Sequence, residues 1–170
     1  MIRIVLALMV VAVPIGAVLA YGDPNDLART TRAISYAFGD DDAKALRLVE
    51  IKRRDNGEFK LRAKINGANA PMIIDTGATS VVLTYETAKA AGLPLELLVF
   101  NVDLETAGGR TRAAKLTIDS LAIGKLAEHG VPALVVPKGQ MKTSLLGMSF
   151  LNRLESWEVR ADRLELRGYP

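Results

Sequence analysis

One acidic turn carries the residues best suited to chemistry in this 170-residue chain. Asp75-Thr76-Gly77 lies between two apolar, β-rich runs, 72–74 and 81–83. A carboxylate in this position leaves a buried strand and points into a polar corner, and burial of a charged acid is costly unless the acid is paired or hydrogen-bonded. We therefore interpret Asp75 as an acid–base residue. Because so short a motif also occurs by chance, the surrounding elements must support this interpretation.

Three strands are predicted to lead into Asp75. Their apolar and charged residues alternate with period two over 46–54, 58–65 and 70–74. Asp55-Asn56-Gly57 has the composition of a hairpin turn that would pair the first strand with the second. Asn66-Gly67 is a second such turn and would return the chain directly to the acid. Asp75 is therefore predicted at the end of a strand in a tight meander.

Downstream of Asp75 the pattern predicts further short strands and two short helices. Thr84 is a candidate N-cap for a helix over 85–91 that stops at Gly92. A second helix is predicted from Gly147, where a tight backbone approach is expected, through Leu154. One strand is predicted to end at Leu146. The remaining strands are predicted over 98–106, 110–119, 121–126, 131–136, 157–160 and 163–166. This set of predicted strands and helices indicates an all-β, barrel-like domain with one or two short helices.

The N-terminal segment is apolar and uncharged from Ile4 to Ala20, with Arg3 before it and Asp23 after it. This polarity predicts export, with the N-terminus in the cytoplasm. The segment is either a signal peptide cleaved near Ala20 or a retained membrane anchor, and retention is our preferred interpretation. We expect the domain to face a periplasm-like space at the inner membrane. The predicted organisation is a membrane segment over 1–21, a linker over 22–45 and the folded domain over 46–170.

Composition argues against several classes of function. The 22 Lys and Arg against 19 Asp and Glu give a net charge of +3, and no basic run has interleaved aromatic residues, so nucleic-acid binding is not predicted. The chain has no cysteine, and His129 is its single histidine, which leaves no thiolate site and no His-containing ligand cluster. Neither a cofactor nor a metal is predicted. A carboxylate-only calcium site over 40–42 is the alternative to simple linker charge.

These motifs together resemble the bacterial retropepsin-like aspartic proteases over about residues 49–166. The motifs that carry the resemblance are Gly57-Glu58-Phe59, Ile65-Asn66-Gly67, Ile73 to Thr79, Ala91-Gly92-Leu93, Leu145 to Leu151 and Trp157-Glu158-Val159. An acid triplet followed about 70 residues later by an apolar-apolar-Gly element is more specific than the triplet alone. The resemblance implies a retropepsin-like acid protease barrel, and members of this bacterial group often carry an N-terminal membrane segment.

The resemblance also implies an aspartic endopeptidase that acts on extended polypeptides. Such an enzyme holds a water molecule between two carboxylates that share one proton. This chain has a single Asp-Thr-Gly triplet, and the other candidate acids, Asp103 and Asp119, are predicted to be solvated, with Asp119 in an exposed turn. A homodimer is therefore expected, in which Asp75 of each chain meets its counterpart on a two-fold axis.

The same resemblance assigns roles to the residues near Asp75. Thr76 and Gly77, followed by Ala78, would support the active-site turn. The hairpin tip Ala107-Gly108-Gly109 matches the flap that covers bound peptide, and an ordinary exposed hairpin is the alternative. Three apolar residues are candidates either for the substrate pocket or for plain core: Val81, Val82 and Leu146.

Two other functions compete with proteolysis. A catalytically silent dimer of the same fold would act as a peptide-binding or scaffolding module, although the intact triplet around Asp75 argues against it. A serine hydrolase would use Ser149. However, Gly147-Met148-Ser149-Phe150-Leu151 lacks the second glycine of a nucleophile elbow, and His129 would be the only available imidazole base.

Overall fold

The computed structural model describes residues 47–106 and 108–169, and strands dominate this part of the chain. The strands are β1 Leu48–Lys52, β2 Lys60–Ile65, β3 Ala68–Ile74, β4 Val81–Leu83, β5 Phe100–Thr106, β6 Gly109–Ile123, β7 Leu126–Val135, β8 Ser144–Leu146, β9 Ser156–Val159 and β10 Arg163–Arg167. The helices are α1 Tyr85–Ala90 and α2 Met148–Leu151, with a 3₁₀ turn at Leu95–Leu97. The predicted fold class, all-β with two short helices, is confirmed.

The predictions for the N-terminal segment, the linker and the acidic run over 40–42 lie outside the described residues. Within the described part of the chain, neither helix has the length and apolar character needed to cross a bilayer. The division into a membrane segment, a linker and a domain therefore stays a prediction.

Six strands close into a barrel in the order β2-β3-β8-β4-β7-β6. The ring is completed where Lys64 and Ile65 of β2 pair with Ala122 and Leu121 of β6. The β3–β8 and β4–β7 pairs are parallel, whereas the neighbouring pairs are antiparallel. Strand β5 pairs with β6 beyond the ring and forms a projecting hairpin. Strands β1, β10 and β9 form a separate antiparallel sheet.

The apolar residues divide into two clusters. The main core contains most of the buried side chains, including the fully buried Phe150, Met72 and Ile118. The second cluster is smaller and consists of four buried residues: Val82, Ala113, Leu134 and Val136. Strand β4 separates the clusters, because successive side chains of a strand point to opposite faces and all three of its residues are buried.

The first predicted hairpin is wrong in its pairing. Pairing across this turn is limited to the residues next to it: Arg53 and Phe59 form an isolated bridge, and Arg54 N–H donates to Glu58 O over 2.9 Å. Strand β1 itself pairs along its whole length with β10 at the other end of the chain. The Asn56 turn is nevertheless well formed, because the Asn56 amide donates to the Glu58 carboxylate over 2.7 Å. This hydrogen bond, followed by the Lys60 ammonium, lowers the pKa of Glu58. A local turn signal therefore correctly located the turn but not the partner of the strand that precedes it.

The predicted break near Asp119 is also wrong. The predicted strand over 110–119 and the first half of the one predicted over 121–126 belong to a single strand, β6, which runs to Ile123. The turn occurs at Gly124, which has a φ of 57°, and Leu126 begins β7. Ser120 continues the strand, because its N–H donates to the Asn66 side chain over 3.0 Å and its carbonyl accepts from Asn66 N–H over 2.9 Å. Asp119 is exposed, but it lies within a strand rather than in a turn.

The two helices differ in how closely they follow the prediction. Thr84 is the N-cap of α1, with its hydroxyl accepting from Thr87 N–H over 3.1 Å, and Gly92 follows the helix end with a φ of 66°. The second helix ends at Leu151, earlier than the predicted Leu154, and single turns continue the chain. The Asn66-Gly67 hairpin is confirmed, because Ile65 pairs with Ala68 across it.

Candidate active site

Asp75 follows the last residue of β3 and is held by the backbone on two sides. Its own N–H donates to Leu146 O of β8 over 3.1 Å. Its carboxylate oxygen Oδ1 accepts from Gly77 N–H over 2.9 Å, and its carbonyl accepts from Ala78 N–H over 3.2 Å. A Cβ added to Gly77 would lie 3.2 Å from Asp75 Oδ1, so a glycine here lets the backbone approach the carboxylate closely. The turn therefore fixes the orientation of the carboxylate.

Asp75 is only half-buried in the single chain, which corrects the prediction of a buried acid. The reason is its position: β3 ends at Ile74, and the turn projects from the end of the barrel with Thr76 and Gly77 exposed. The desolvation inferred from the flanking apolar runs is therefore incomplete within one chain. A surface that includes an oriented carboxylate remains available to another molecule.

Gly147 packs closely against the backbone of the loop that follows Asp75. A Cβ at this position would lie 2.2 Å from Ser80 O and 2.6 Å from Ala78 O, and real Cβ atoms do not approach backbone atoms so closely. The next residue, Met148, donates its N–H to Ala78 O over 2.8 Å. The predicted tight approach at Gly147 is thus confirmed, and it joins the start of α2 to the loop that carries Asp75.

Ser149 has a structural role in this arrangement. Its hydroxyl donates to Pro132 O over 2.8 Å and accepts from Val81 N–H over 2.8 Å, which links α2 to β7 and β4. His129 donates its ring Nδ1–H to Asp119 O over 3.0 Å. Because both groups have backbone partners, the structure does not bring them together as a nucleophile and a base.

Asp75 is one of the residues that line a cleft of about 670 Å³. Its floor is apolar, because Val82 of β4 pairs with Leu134 of β7 on one side and Leu145 of β8 on the other. The residues that line the cleft are Asp75, Gly77, Ala78, Thr79, Ser80, Val82, Leu104, Glu105, Thr106, Gly108, Leu134, Gln140, Met141 and Leu145. The cleft thus combines one oriented carboxylate with a predominantly apolar floor.

Only one of the three apolar candidates for the substrate pocket lines this cleft. Val82 does so, whereas Val81 and Leu146 are fully buried in the main core. The physical reason is the alternation of β4 and β8, which directs neighbouring residues to opposite faces. Leu134 and Leu145 were missed, because their place beside Val82 depends on a strand register that local periodicity does not reveal.

The β5–β6 hairpin also contributes to the lining of the cleft. Leu104, Thr106 and Gly108 line the cleft from this hairpin, and Gly109 has the left-handed φ of 112° expected of a glycine turn. Ala107, also assigned to the flap, lies outside the described residues. On the hairpin's outer face, Arg112 lies 3.5 Å from Asp103, whose side chain is 92% exposed, so Asp103 is a solvated residue.

The acidic side chains of the described residues are not arranged to bind a metal ion. Among residues 47–106 and 108–169, no group of three or more His, Asp or Glu side chains has the arrangement of a metal site. The other acid that lines the cleft, Glu105, has an 82% exposed side chain 4.0 Å from Arg110. Asp75 is therefore the cleft carboxylate positioned by the backbone.

Comparison with known proteins identifies the class to which this fold and site belong. The chain belongs to the family described as "gag-polyprotein putative aspartyl protease", whose family model matches residues 61–153. A crystal structure of a retropepsin-like aspartic protease from Rickettsia conorii is similar, with a TM-score of 0.64 and 32% identity over 71% of this chain and 90% of that chain. The retropepsin-like fold and family inferred from the motifs are confirmed.

Two relatives extend the similarity at the level of sequence. A protein of Sinorhizobium sp named "Uncharacterized protein in cobV 5'region" is 39% identical over 126 residues, which are 74% of this chain and 54% of the relative. "Uncharacterized protein RP867" of Rickettsia prowazekii (strain Madrid E) is 32% identical over 122 residues, 69% of this chain and 50% of the relative. The chain spans about half the length of these curated relatives.

Proposed function

We propose that this chain is an aspartic endopeptidase that hydrolyses peptide bonds in extended polypeptides as a homodimer. The endopeptidase activity is supported most by the geometry of the Asp75 turn, in which Gly77 N–H orients a half-buried carboxylate that lines a cleft with an apolar floor. Membership of the aspartyl protease family adds to this support.

The chemistry requires two carboxylates that share one proton and hold a water molecule between them. The ionised carboxylate accepts a proton from the water molecule while the water oxygen attacks the carbon of the peptide carbonyl. At the same time the protonated carboxyl group donates its proton to the carbonyl oxygen. The C–N bond of the resulting gem-diol then breaks: the ionised carboxylate takes a proton from one hydroxyl, and the protonated carboxyl gives its proton to the leaving nitrogen, so that a carboxylic acid and an amine are released. The two acids then share one proton again and titrate as a coupled pair.

A second copy of the chain would supply the missing acid. Within the described residues, the other acid of the cleft is Glu105, which lies beside Arg110 at the solvent and is not held by the turn. Thr76 and Gly77 are exposed at the end of the barrel, where a two-fold axis would bring two Asp75 side chains together. In such a dimer Thr76 would brace the turn, and the remaining exposure of Asp75 would be reduced.

The cleft suits an extended peptide. A substrate that lies between the active-site turn and the β5–β6 hairpin would form main-chain hydrogen bonds as an added strand. The apolar floor formed by Val82, Leu134 and Leu145 would receive apolar side chains of the peptide. Gly108 at the hairpin tip would cover the peptide and exclude water from the reacting bond.

Mixing chains tests the shared active site. Wild-type chain and the Asp75→Asn variant, combined in equal amounts and allowed to exchange subunits, should retain about one quarter of the wild-type activity, because only that fraction of random dimers has two intact acids. An Asp119→Asn chain, changed at an exposed acid far along β6, is the matched control and should leave activity unchanged. Retention of about one half would indicate that each chain acts alone and would contradict the dimer.

Size measurements separate the two candidate functions. A peptide-like aspartic protease inhibitor should shift the wild-type chain from monomer to dimer, because it bridges both halves of the site. Dimerisation and peptide binding without any cleavage would instead support the catalytically silent scaffold and contradict the endopeptidase.

We also propose that residues 1–21 tether the domain to the inner membrane with the domain in the periplasm. The apolar run from Ile4 to Ala20, preceded by Arg3, supports this topology. A reporter that is active only outside the cytoplasm, fused after residue 45, should be active and should fractionate with membranes. An inactive reporter would contradict the export.

A further inference from the structure

The turn that joins β5 to β6 is closed by the side chain of the residue that precedes it. Thr106 and Gly109 form the last pair of this ladder, so the loop between them is two residues long. The Thr106 hydroxyl donates to Gly109 O over 2.9 Å and accepts from Gly108 N–H over 3.2 Å. One side-chain oxygen thus binds the backbone of both glycines at the tip.

Thr106 lies on the side of the hairpin that faces the cleft. Leu104, two residues earlier, packs against the second apolar cluster, and residues at i and i+2 of a strand share a face. Thr106 itself is half-buried and lines the same cleft as Asp75. The residue that closes the tip is therefore also part of the wall that a bound peptide would contact.

We propose that Thr106 is a positioning residue that pre-orders the hairpin tip for closure over a peptide. This inference rests on the proposed function, because it concerns the cover of the same cleft. Glycine populates positive and negative φ with similar ease, so Gly108 and Gly109 would otherwise sample many tip conformations. The two hydrogen bonds restrict that freedom before any peptide arrives.

Pre-ordering has a defined consequence for binding. When only a fraction of molecules has the binding-competent tip, the apparent dissociation constant rises in inverse proportion to that fraction. The chemical step, which uses the Asp75 carboxylates, does not involve the Thr106 hydroxyl. Loss of the hydroxyl should therefore raise KM and leave kcat nearly unchanged.

The test compares Thr106→Val with Thr106→Ser in the full chain. Valine keeps the shape and β-branching of threonine but removes the hydroxyl, whereas serine keeps the hydroxyl. In Thr106→Val, amide hydrogen exchange at Gly108 should accelerate roughly ten-fold, as expected for the loss of one modest hydrogen bond. KM for a cleaved peptide should rise roughly five- to ten-fold, with kcat within about two-fold. Thr106→Ser should behave as wild type in both measurements.

Thr117→Val is the matched control, because it makes the same change at an exposed position of β6 outside the cleft. It should alter neither Gly108 exchange nor KM. Unchanged Gly108 exchange in Thr106→Val would overturn the inference, as would an equal loss in Thr106→Ser. If the wild-type chain cleaves no peptide, the proposed function fails, and Gly108 exchange in the Thr106 variants still decides whether this residue orders the tip.

Discussion

Asparagine in place of Asp75 is expected to lower kcat/KM for peptide hydrolysis by roughly 10³-fold or more, which lies within the range for loss of general acid–base catalysis. Asparagine has the shape of aspartate and keeps an oxygen that accepts from Gly77 N–H, the bond that measures 2.9 Å. It cannot exchange the proton that the mechanism requires. The measurement is steady-state peptide cleavage from about pH 4 to pH 7, accompanied by thermal unfolding to show that the fold is intact.

Two comparisons make this result specific to the carboxylate. Asp119→Asn changes an acid that is exposed within β6 and should leave cleavage and stability at wild-type values. Asp75→Ala also removes the acceptor of Gly77 N–H, so it should lose activity and additionally loosen the turn. Wild-type rates in Asp75→Asn would place the chemistry elsewhere in the chain and would end the aspartic protease proposal.

Alanine in place of Gly147 is expected to destabilise the domain by about 3 kcal/mol, at the upper end for overpacking in a well-packed site. The added methyl group would lie 2.2 Å from Ser80 O, so either α2 or the Asp75 loop must move. For a domain of this size the melting temperature should fall by roughly 10 °C. Thermal unfolding measures the stability, and peptide cleavage at a temperature below both transitions measures the effect on the site.

A second glycine provides the control for this experiment. Gly108 has room for a methyl group, because an added Cβ would meet only Thr106 Oγ1, at an ordinary van der Waals distance of 3.7 Å. Its φ is not in the left-handed region. Gly108→Ala should therefore unfold at the wild-type temperature. If Gly147→Ala is as stable as wild type, the close approach between Gly147 and the loop that follows Asp75 is not what holds the Asp75 turn.

Several elements of this protein follow from local physical rules, and these elements were predictable. The period-two alternation of 60–65 defines a strand wherever that strand pairs, and Thr84 caps a helix through a bond to a residue only three positions away. Asn66-Gly67 adopts positive φ angles that favour a hairpin. The Asp75 turn and Gly147 were identified in the same way, because residue type and spacing are sufficient to define them.

Other features depend on contacts between distant parts of the chain. The partner of β1 is β10, more than a hundred residues away, although a good turn signal follows β1 directly. The floor of the cleft exists because Val82 stands in register with Leu134 and Leu145. Alternation within a strand specifies that its two faces differ, but it does not specify which neighbour each face or edge meets.

Residue types and spacing alone are therefore sufficient to identify the candidate acid in its Asp-Thr-Gly turn, the glycine at position 147 that packs against this turn, and the strands on both sides of it. The exposure of that acid and the cleft beside it depend instead on how the strands pair. Asp75 is half-buried directly after the end of β3 and lines a cleft with an apolar floor. The hairpin whose tip is closed by Thr106 lines the same cleft. The physical reason is that the burial of a residue and the shape of a cleft depend on which distant strands pair, whereas a turn depends only on its own few residues.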